Sequence, residues 1–186
     1  MAVAIQILAS MCGIDIITFF STQIFQSQLH FSPLESRCLT LGLQACQVLW
    51  STLAIFFVDF LGRRPLLMGA AAVMALSMGS LSGLTGADAT RGMLSVSVLF
   101  LFLCMSAYPV GFHLIPSMIC AEISPSTMRH EITAVAGAVH WLTDFMITLI
   151  TPLAFNTISF RYYFVYMSTN ILAIVLVYLL YPDTKG

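Results

Sequence analysis

Apolar residues run along this chain in long blocks, and the acidic and basic residues fall between them. Asp, Glu, Lys and Arg are absent from residues 38–58, 65–87, 92–121 and 162–182. Each block reaches the roughly 20 residues that a helix needs to cross a hydrocarbon core of about 30 Å. Two further blocks, 1–34 and 132–160, carry a single acid each, Asp15 and Asp144. An aspartate at mid-bilayer costs about 2.5–3.5 kcal/mol on insertion scales, and the surrounding Ile, Leu and Phe offset it. The pattern predicts an all-α membrane protein. Its six transmembrane helices are expected at about 2–29, 36–59, 65–86, 92–121, 130–155 and 161–181, in one membrane domain covering 1–186. Continuous apolar runs, as opposed to alternation, exclude the strands of a closed barrel, the other fold that satisfies its backbone inside lipid.

The connectors carry turn and charge chemistry: LHFSPLESR, DFLGRRP, TGADATRG, AEISPSTMRH and NTISFR. They are short, so consecutive helices are expected to run antiparallel. One side would hold Arg63, Arg64, Arg129 and Lys185, and the other Arg37, Arg91 and Arg161. This slight excess favours a cytoplasmic location for the first set. In the third helix Gly69, Gly79 and Gly83 lie among Ala and Ser, and the GSLSG stretch offers a small-residue face for close helix packing. In the fourth, Pro109, Gly111 and Pro116 predict a kink or a break, because proline removes an amide donor and clashes with the preceding turn. Broken helices in transporters often mark a substrate pathway, and a packing kink is the alternative.

Composition narrows the function classes. Only 8% of residues are charged, against roughly 25% in a soluble domain. A formal net charge of -1 leaves no basic surface for nucleic acid. The first basic residue is Arg37, so the start of the chain lacks the charged region of a cleavable signal peptide, and the first helix is expected to act as an uncleaved anchor. The five cysteines show no C-x-x-C spacing and read as small packing residues. No nucleophile and base arrangement, phosphate loop or metal-ligand cluster is apparent, so neither enzymatic activity nor a cofactor is expected. A haem held by membrane histidines is a poor fit, since His113 and His140 lack further histidines at ligand spacing.

The fifth helix carries the distinctive chemistry. Thr133, Gly137, His140, Asp144, Thr148 and Thr151 recur every three or four residues and share one face. Intramembrane polar and ionisable residues normally face a bundle interior or a water-filled cavity, so this face is expected to line a solute path. The alternative is a local His140–Asp144 couple that only holds helices together. Gln6 and Asp15 on the first helix and Gln47 on the second are the other candidate lining residues.

DFLGRRP, AEISPSTMR, HWLTDF and the terminal PDTKG, in that order, resemble the sugar porters of the major facilitator superfamily. In that family the second half carries a D/E-x-x-G-R-R loop, a P-x-x-x-x-x-E with an Arg seven residues on, an N-W-x-x-N-F segment and a terminal P-E-T-K-G. Here these correspond to Asp59–Arg64, Pro116–Glu122 with Arg129, His140–Phe145 and Pro182–Gly186. GIDIITFFSTQIF, from Gly13, is similar to the family's G-I-N-x-I-x-Y-Y-S. The resemblance covers the whole chain and implies the C-terminal six helices of a twelve-helix transporter. It also implies that Gln6, Asp15, Gln47, His140, Trp141 and Asp144 contact the hydroxyls of a sugar. Asp59, Arg63, Arg64, Glu122 and Arg129 would form a cytoplasmic charge latch that closes when the transporter faces outward. Solvated loop charges that only set topology are the alternative to the latch.

Sugar recognition favours neutral amides, which donate and accept without the desolvation cost of a charge. Three amide positions of the family are here Asp15, His140 and Asp144. Its Gln-Gln pair is Ala9-Ser10, its Trp after the proline is Ser117, and its tyrosine pair is Phe19-Phe20. These departures leave open a sugar, another polyol-like solute, proton-linked transport through a titrating His and Asp, or a site that has lost its ligand. The resemblance also implies partners: the lipid bilayer, a sugar-like solute with or without a proton, and a complementary N-terminal six-helix half, where the family usually keeps its proton-coupling acid. The chain is expected to be a truncated product or a half-size relative, incomplete for transport alone. The rival reading is a non-transporting six-helix scaffold or regulator that binds a full transporter.

Overall fold

A computed structural model of the chain describes residues 2–29, 31–86, 91–125, 127–158 and 161–180. The helices are α1 (Ala2–Ser10), α2 (Ile14–Gln23), α3 (Pro33–Leu61), α4 (Arg63–Gly86), α5 (Arg91–Tyr108), α6 (Ile115–Ile123), α7 (Arg129–Thr157) and α8 (Tyr162–Leu180). A π-helical turn, Ile24–Gln28, extends α2, and another, Pro109–His113, joins α5 to α6. Together they make six spans long and apolar enough to cross a membrane: Val3–Ser27, Pro33–Val58, Arg63–Thr85, Ser95–Ile123, Arg129–Thr157 and Tyr162–Leu179.

Local chemistry explains where these helices start and stop. Ser32 caps α3 with a capping box: its Oγ accepts from the Glu35 amide at 3.4 Å, and the Glu35 carboxylate accepts from the Ser32 amide at 3.1 Å. Pro33 follows in the first turn, where a missing amide proton costs nothing. Gly62 ends α3 with φ 84°, a conformation that a side chain would strain, and α4 begins at the next residue.

The fourth span is discontinuous where Pro109, Gly111 and Pro116 cluster. There the backbone widens into the π turn before α6 begins. A Cβ at Gly111 would collide with that of Ala70 on α4, so glycine is what lets the broken segment lie against that helix. The first span departs from the uninterrupted 2–29 helix expected from its apolar run. It unwinds at Met11–Gly13, where Gly13 adopts φ 83° and lies directly under the Tyr166 ring. Hydropathy does not register this break, because Met, Cys and Gly are as apolar as the helix around them.

Packing follows the small residues. α4 lies between α5 and α8, α1 packs on α7 and α6, α2 meets α3 and α7, and α3 leans on the Pro109–His113 turn and α5. Of the glycines in the GSLSG stretch, Gly79 makes the close approach, 2.9 Å from a built Cβ to the Met167 sulfur on α8, whereas Gly83 and Gly69 face open space. The buried core is contributed largely by α1, α2, α4, α5 and α8. By contrast, α3 and α7 expose long apolar faces, including Leu49, Phe56 and Phe60 on one and Leu142, Phe145 and Leu149 on the other. Such faces are stable against lipid or another helical unit, and this is an integral, multi-pass membrane protein.

Candidate functional site

The break in the first span creates the polar centre. Inside a bilayer every carbonyl freed by unwinding needs a donor. α8 supplies them: Thr169 Oγ1 donates to the Met11 carbonyl at 2.7 Å, and Asn170 Nδ2 donates to the Cys12 carbonyl at 3.0 Å. With the turn fixed, Ser10 ends α1 and Asp15 falls in the first turn of α2, where a helix N-terminus favours a carboxylate.

α7 meets this break with a stripe that alternates polar and apolar side chains. Ala136, Asp144, Ile147, Thr151 and Ala154 are buried along it, and His140 is half-buried. The His140 Nδ1 lies 2.7 Å from Ser10 Oγ and 3.4 Å from the Gln6 carbonyl oxygen, and its Nε2 lies 3.5 Å from Asp144 Oδ2. The Asp15 and Asp144 side chains are immediate neighbours across the α2–α7 contact. Asp144 is only 8% exposed, and one buried oxygen on each acid, Asp15 Oδ2 and Asp144 Oδ1, has no described hydrogen-bond partner. The Gln6 amide reaches instead toward the Cys120 sulfur on α6, at 3.9 Å.

Three of the six candidate lining side chains, Asp15, His140 and Asp144, therefore meet at one place, and Gln6 contributes its backbone carbonyl there and not its amide. Trp141 does not point into it. That side chain is 70% exposed, although its ring sits edge-on to His140 with centroids 6.0 Å apart. Gln47 is half-buried on the α3 stripe that carries buried Leu43 and Ala54, and no described contact joins it to the cluster. The threonines expected on the α7 face are largely spent on their own helix: Thr133 and Thr148 donate to the Arg129 and Asp144 carbonyls. Thr151 Oγ1 donates to the Ile147 carbonyl at 2.7 Å and lies 3.4 Å from the Tyr162 hydroxyl, which is 2.8 Å from that of Tyr166.

Sequence reasoning missed Ser10, Tyr162, Tyr166, Thr169 and Asn170. Ser10 read as a lost amide position, yet it is the nearest described partner of the His140 ring. Asn170 was legible in principle, since an amide within YMSTNILAIV needs a partner in lipid. Which carbonyl it would meet depends on the packing of α8 against the unwound turn.

The charged residues at one end also assemble in part. Arg63 at the start of α4 forms an ion pair with Glu122 near the end of α6. Arg64 Nη2 donates to the Tyr178 carbonyl at 2.6 Å, and its guanidinium lies 5.0 Å from the centre of the Tyr178 ring. It thus caps the C-terminal turn of α8, where a cation is favoured. Arg129 is exposed at the first residue of α7. The Asp59 side chain and the Pro182–Gly186 segment lie outside the described residues.

Six spans among the described residues, with the first and fourth broken and a polar centre at the first break, define the class: a membrane protein whose helices form one half of a major facilitator superfamily fold. The sequence matches the family described as "Sugar (and other) transporter" over residues 1–186, and the chain belongs to that family. It is 28% identical over 178 residues to the MFS-type transporter oryC of Aspergillus oryzae, covering 94% of this chain and 33% of the relative. It is 31% identical over 144 residues to the probable plastidic glucose transporter 3 of Arabidopsis thaliana, covering 77% of this chain and 28% of that protein. The chain thus spans about a third of the length of these curated relatives. Among solved structures, the crystal structure of a D-xylose-proton symporter superposes on all of this chain and 43% of its own, with a TM-score of 0.86 at 24% identity.

Proposed function

We propose that this chain is the C-terminal six-helix half of a secondary transporter that moves a sugar-like, polyhydroxylated solute by alternating access. The observation that carries the reading is the convergence of Ser10, Asp15, His140 and Asp144 at the break in the first span. Polar groups at an unwound intramembrane turn are what a solute site near the bilayer midplane needs. Asp15 and Asp144 would accept from hydroxyls, and their unpartnered oxygens leave acceptor capacity for doing so. Relatives named as glucose transporters, and another named as a quinate permease, support a polyhydroxylated solute.

In this reading Trp141 and Gln47 complete the site against a complementary N-terminal half, whose docking would also cover exposed parts of α3 and α7. The Arg63–Glu122 pair, with Asp59, Arg64 and Arg129, would form the cytoplasmic latch that holds this end closed when the site opens outward. The test is solute counterflow in proteoliposomes with radiolabelled D-glucose, using the chain co-reconstituted with the N-terminal six helices of a sugar porter. Saturable exchange that is lost in Asp144→Asn supports the reading. No exchange, and no glucose binding by the folded chain, would favour a non-transporting protein that uses the same polar face to bind a full transporter.

A further inference from the structure

The break in the fourth span places an imidazole inside the membrane. Within the π turn Pro109–His113, Pro109, Gly111 and Phe112 are buried, whereas His113 is exposed near the middle of the span Ser95–Ile123. Its ring meets that of Tyr108, with centroids 6.0 Å apart and planes inclined at 57°. Among the described residues neither ring nitrogen has a hydrogen-bond partner. Ser117, one turn on and also exposed, donates to the Leu114 carbonyl at 2.8 Å. An ionisable side chain is expensive in lipid, so it normally faces a bundle interior or a water-filled cavity. Single π turns, likewise, frequently occur at functional sites.

Tyr108 connects this imidazole to the polar centre at the first break. It is buried and within electrostatic reach of Asp15, Cys12 and Asp144, while its ring contacts that of His113. The segment that follows the π turn, α6, packs on α1 and α7. The two stations differ in chemistry. An ionised carboxylate only accepts hydrogen bonds, whereas an imidazole offers at least one N–H in either protonation state and either tautomer. Among the described residues the other basic side chains are committed elsewhere: Arg37, Arg63, Arg64, Arg129, His130 and Arg161 lie at helix ends, and His140 is engaged by Ser10 and Asp144. A solute reaching both stations meets acceptors at one end and a donor at the other. Hydroxyls suit the acids, and a carboxylate, which the acids would repel, suits the imidazole.

We propose that His113 is a solute-contacting residue that sets specificity: its ring N–H donates to a carboxylate on the solute, so the site prefers a polyhydroxylated acid to the corresponding neutral polyol. The inference rests on the solute reading above and names the substrate class. The solute's hydroxyls lie toward Asp15 and Asp144, and its carboxylate lies toward the break in the fourth span.

The test is equilibrium binding of radiolabelled D-gluconate and D-sorbitol to the full chain in lipid nanodiscs, with D-glucose binding measured on the same samples. Gluconate and sorbitol differ only in a carboxylate against a hydroxymethyl group. Gluconate is expected to bind about tenfold more tightly than sorbitol, the scale of one hydrogen bond to a charged group. In His113→Phe, which keeps a ring against Tyr108 but loses both nitrogens, that preference should disappear. His113→Gln, which retains an N–H donor, should restore part of it. A side chain that only packs would weaken both solutes alike and leave the preference unchanged. Helical content and the thermal transition, read by circular dichroism, show which variants are folded, and if His113→Phe does not fold, His113→Ala takes its place. A folded parent with no preference for gluconate, or a preference unchanged in the folded Phe or Ala variant, would overturn the proposal. Glucose binding in that case would leave the solute reading standing, whereas a folded chain that binds none of these solutes would overturn both.

Discussion

Replacing Asn170 by Leu tests whether α8 holds the first span in its broken form. Asn170 is fully buried, and its Nδ2 donates to the Cys12 carbonyl at 3.0 Å and to the Tyr166 carbonyl at 2.8 Å. The Tyr166 carbonyl lies within α8 and retains the helical bond to the amide four residues on. The Cys12 carbonyl lies in the turn between α1 and α2, and Asn170 is its described donor, so the substitution orphans one buried acceptor. An orphaned buried group costs about 1–3 kcal/mol. Two effects reduce that figure. Asn170 Oδ1 is itself buried without a described partner, and leucine removes it. Interhelical hydrogen bonds in membranes also average only about 0.6 kcal/mol, with a maximum near 1.7.

The net expectation is a loss of about 1 kcal/mol, roughly fivefold in the folding equilibrium. Equilibrium unfolding in mixed micelles of increasing SDS fraction, followed by circular dichroism, measures it. Thr169→Val removes the neighbouring bond to the Met11 carbonyl, and since both anchors hold the same turn, the double variant should deviate from additivity. An Asn170→Leu chain as stable as its parent, together with strictly additive effects, would refute the view that α8 fixes the break.

Two further outcomes follow from the same geometry. Gly13→Ala places a Cβ at φ 83° against the Tyr166 ring, so it should cost about 2–3 kcal/mol and lower the thermal transition, and an unchanged transition would contradict the local structure. Arg63→Glu and Glu122→Arg should each destabilise, and combining them should recover most of the loss. The Glu122 side chain is 46% exposed and screened by solvent, so the coupling is expected at about 0.5–1 kcal/mol, and a double-mutant cycle with no coupling would show that the pair contributes nothing.

The fourth span shows how far sequence reading reached into the backbone. Pro109, Gly111 and Pro116 act on their own helix, by removing amides and side-chain volume, so their effect was legible from spacing alone. The first span shows the limit. Its turn rests on Gly13, which carries no directional information by itself, and on donors from Thr169 and Asn170 that lie 158 residues away along the chain. The candidate site divides in the same way. His140 and Asp144 share a helix face by their spacing, and the His140–Asp144 contact follows from that. Their meeting with Ser10 and Asp15 does not, because it requires α1 and α2 to part where α7 crosses them.

Hydropathy and charge along the chain determined that six helices cross a membrane and that one of them carries a polar face, because insertion depends on composition summed over about 20 residues. Tertiary structure decided that the first helix opens, that Ser10 meets the His140 ring, and that two acids from different spans become neighbours. Those outcomes depend on where freed carbonyls and buried carboxyls find partners across helices, and in lipid only the packed bundle can supply them.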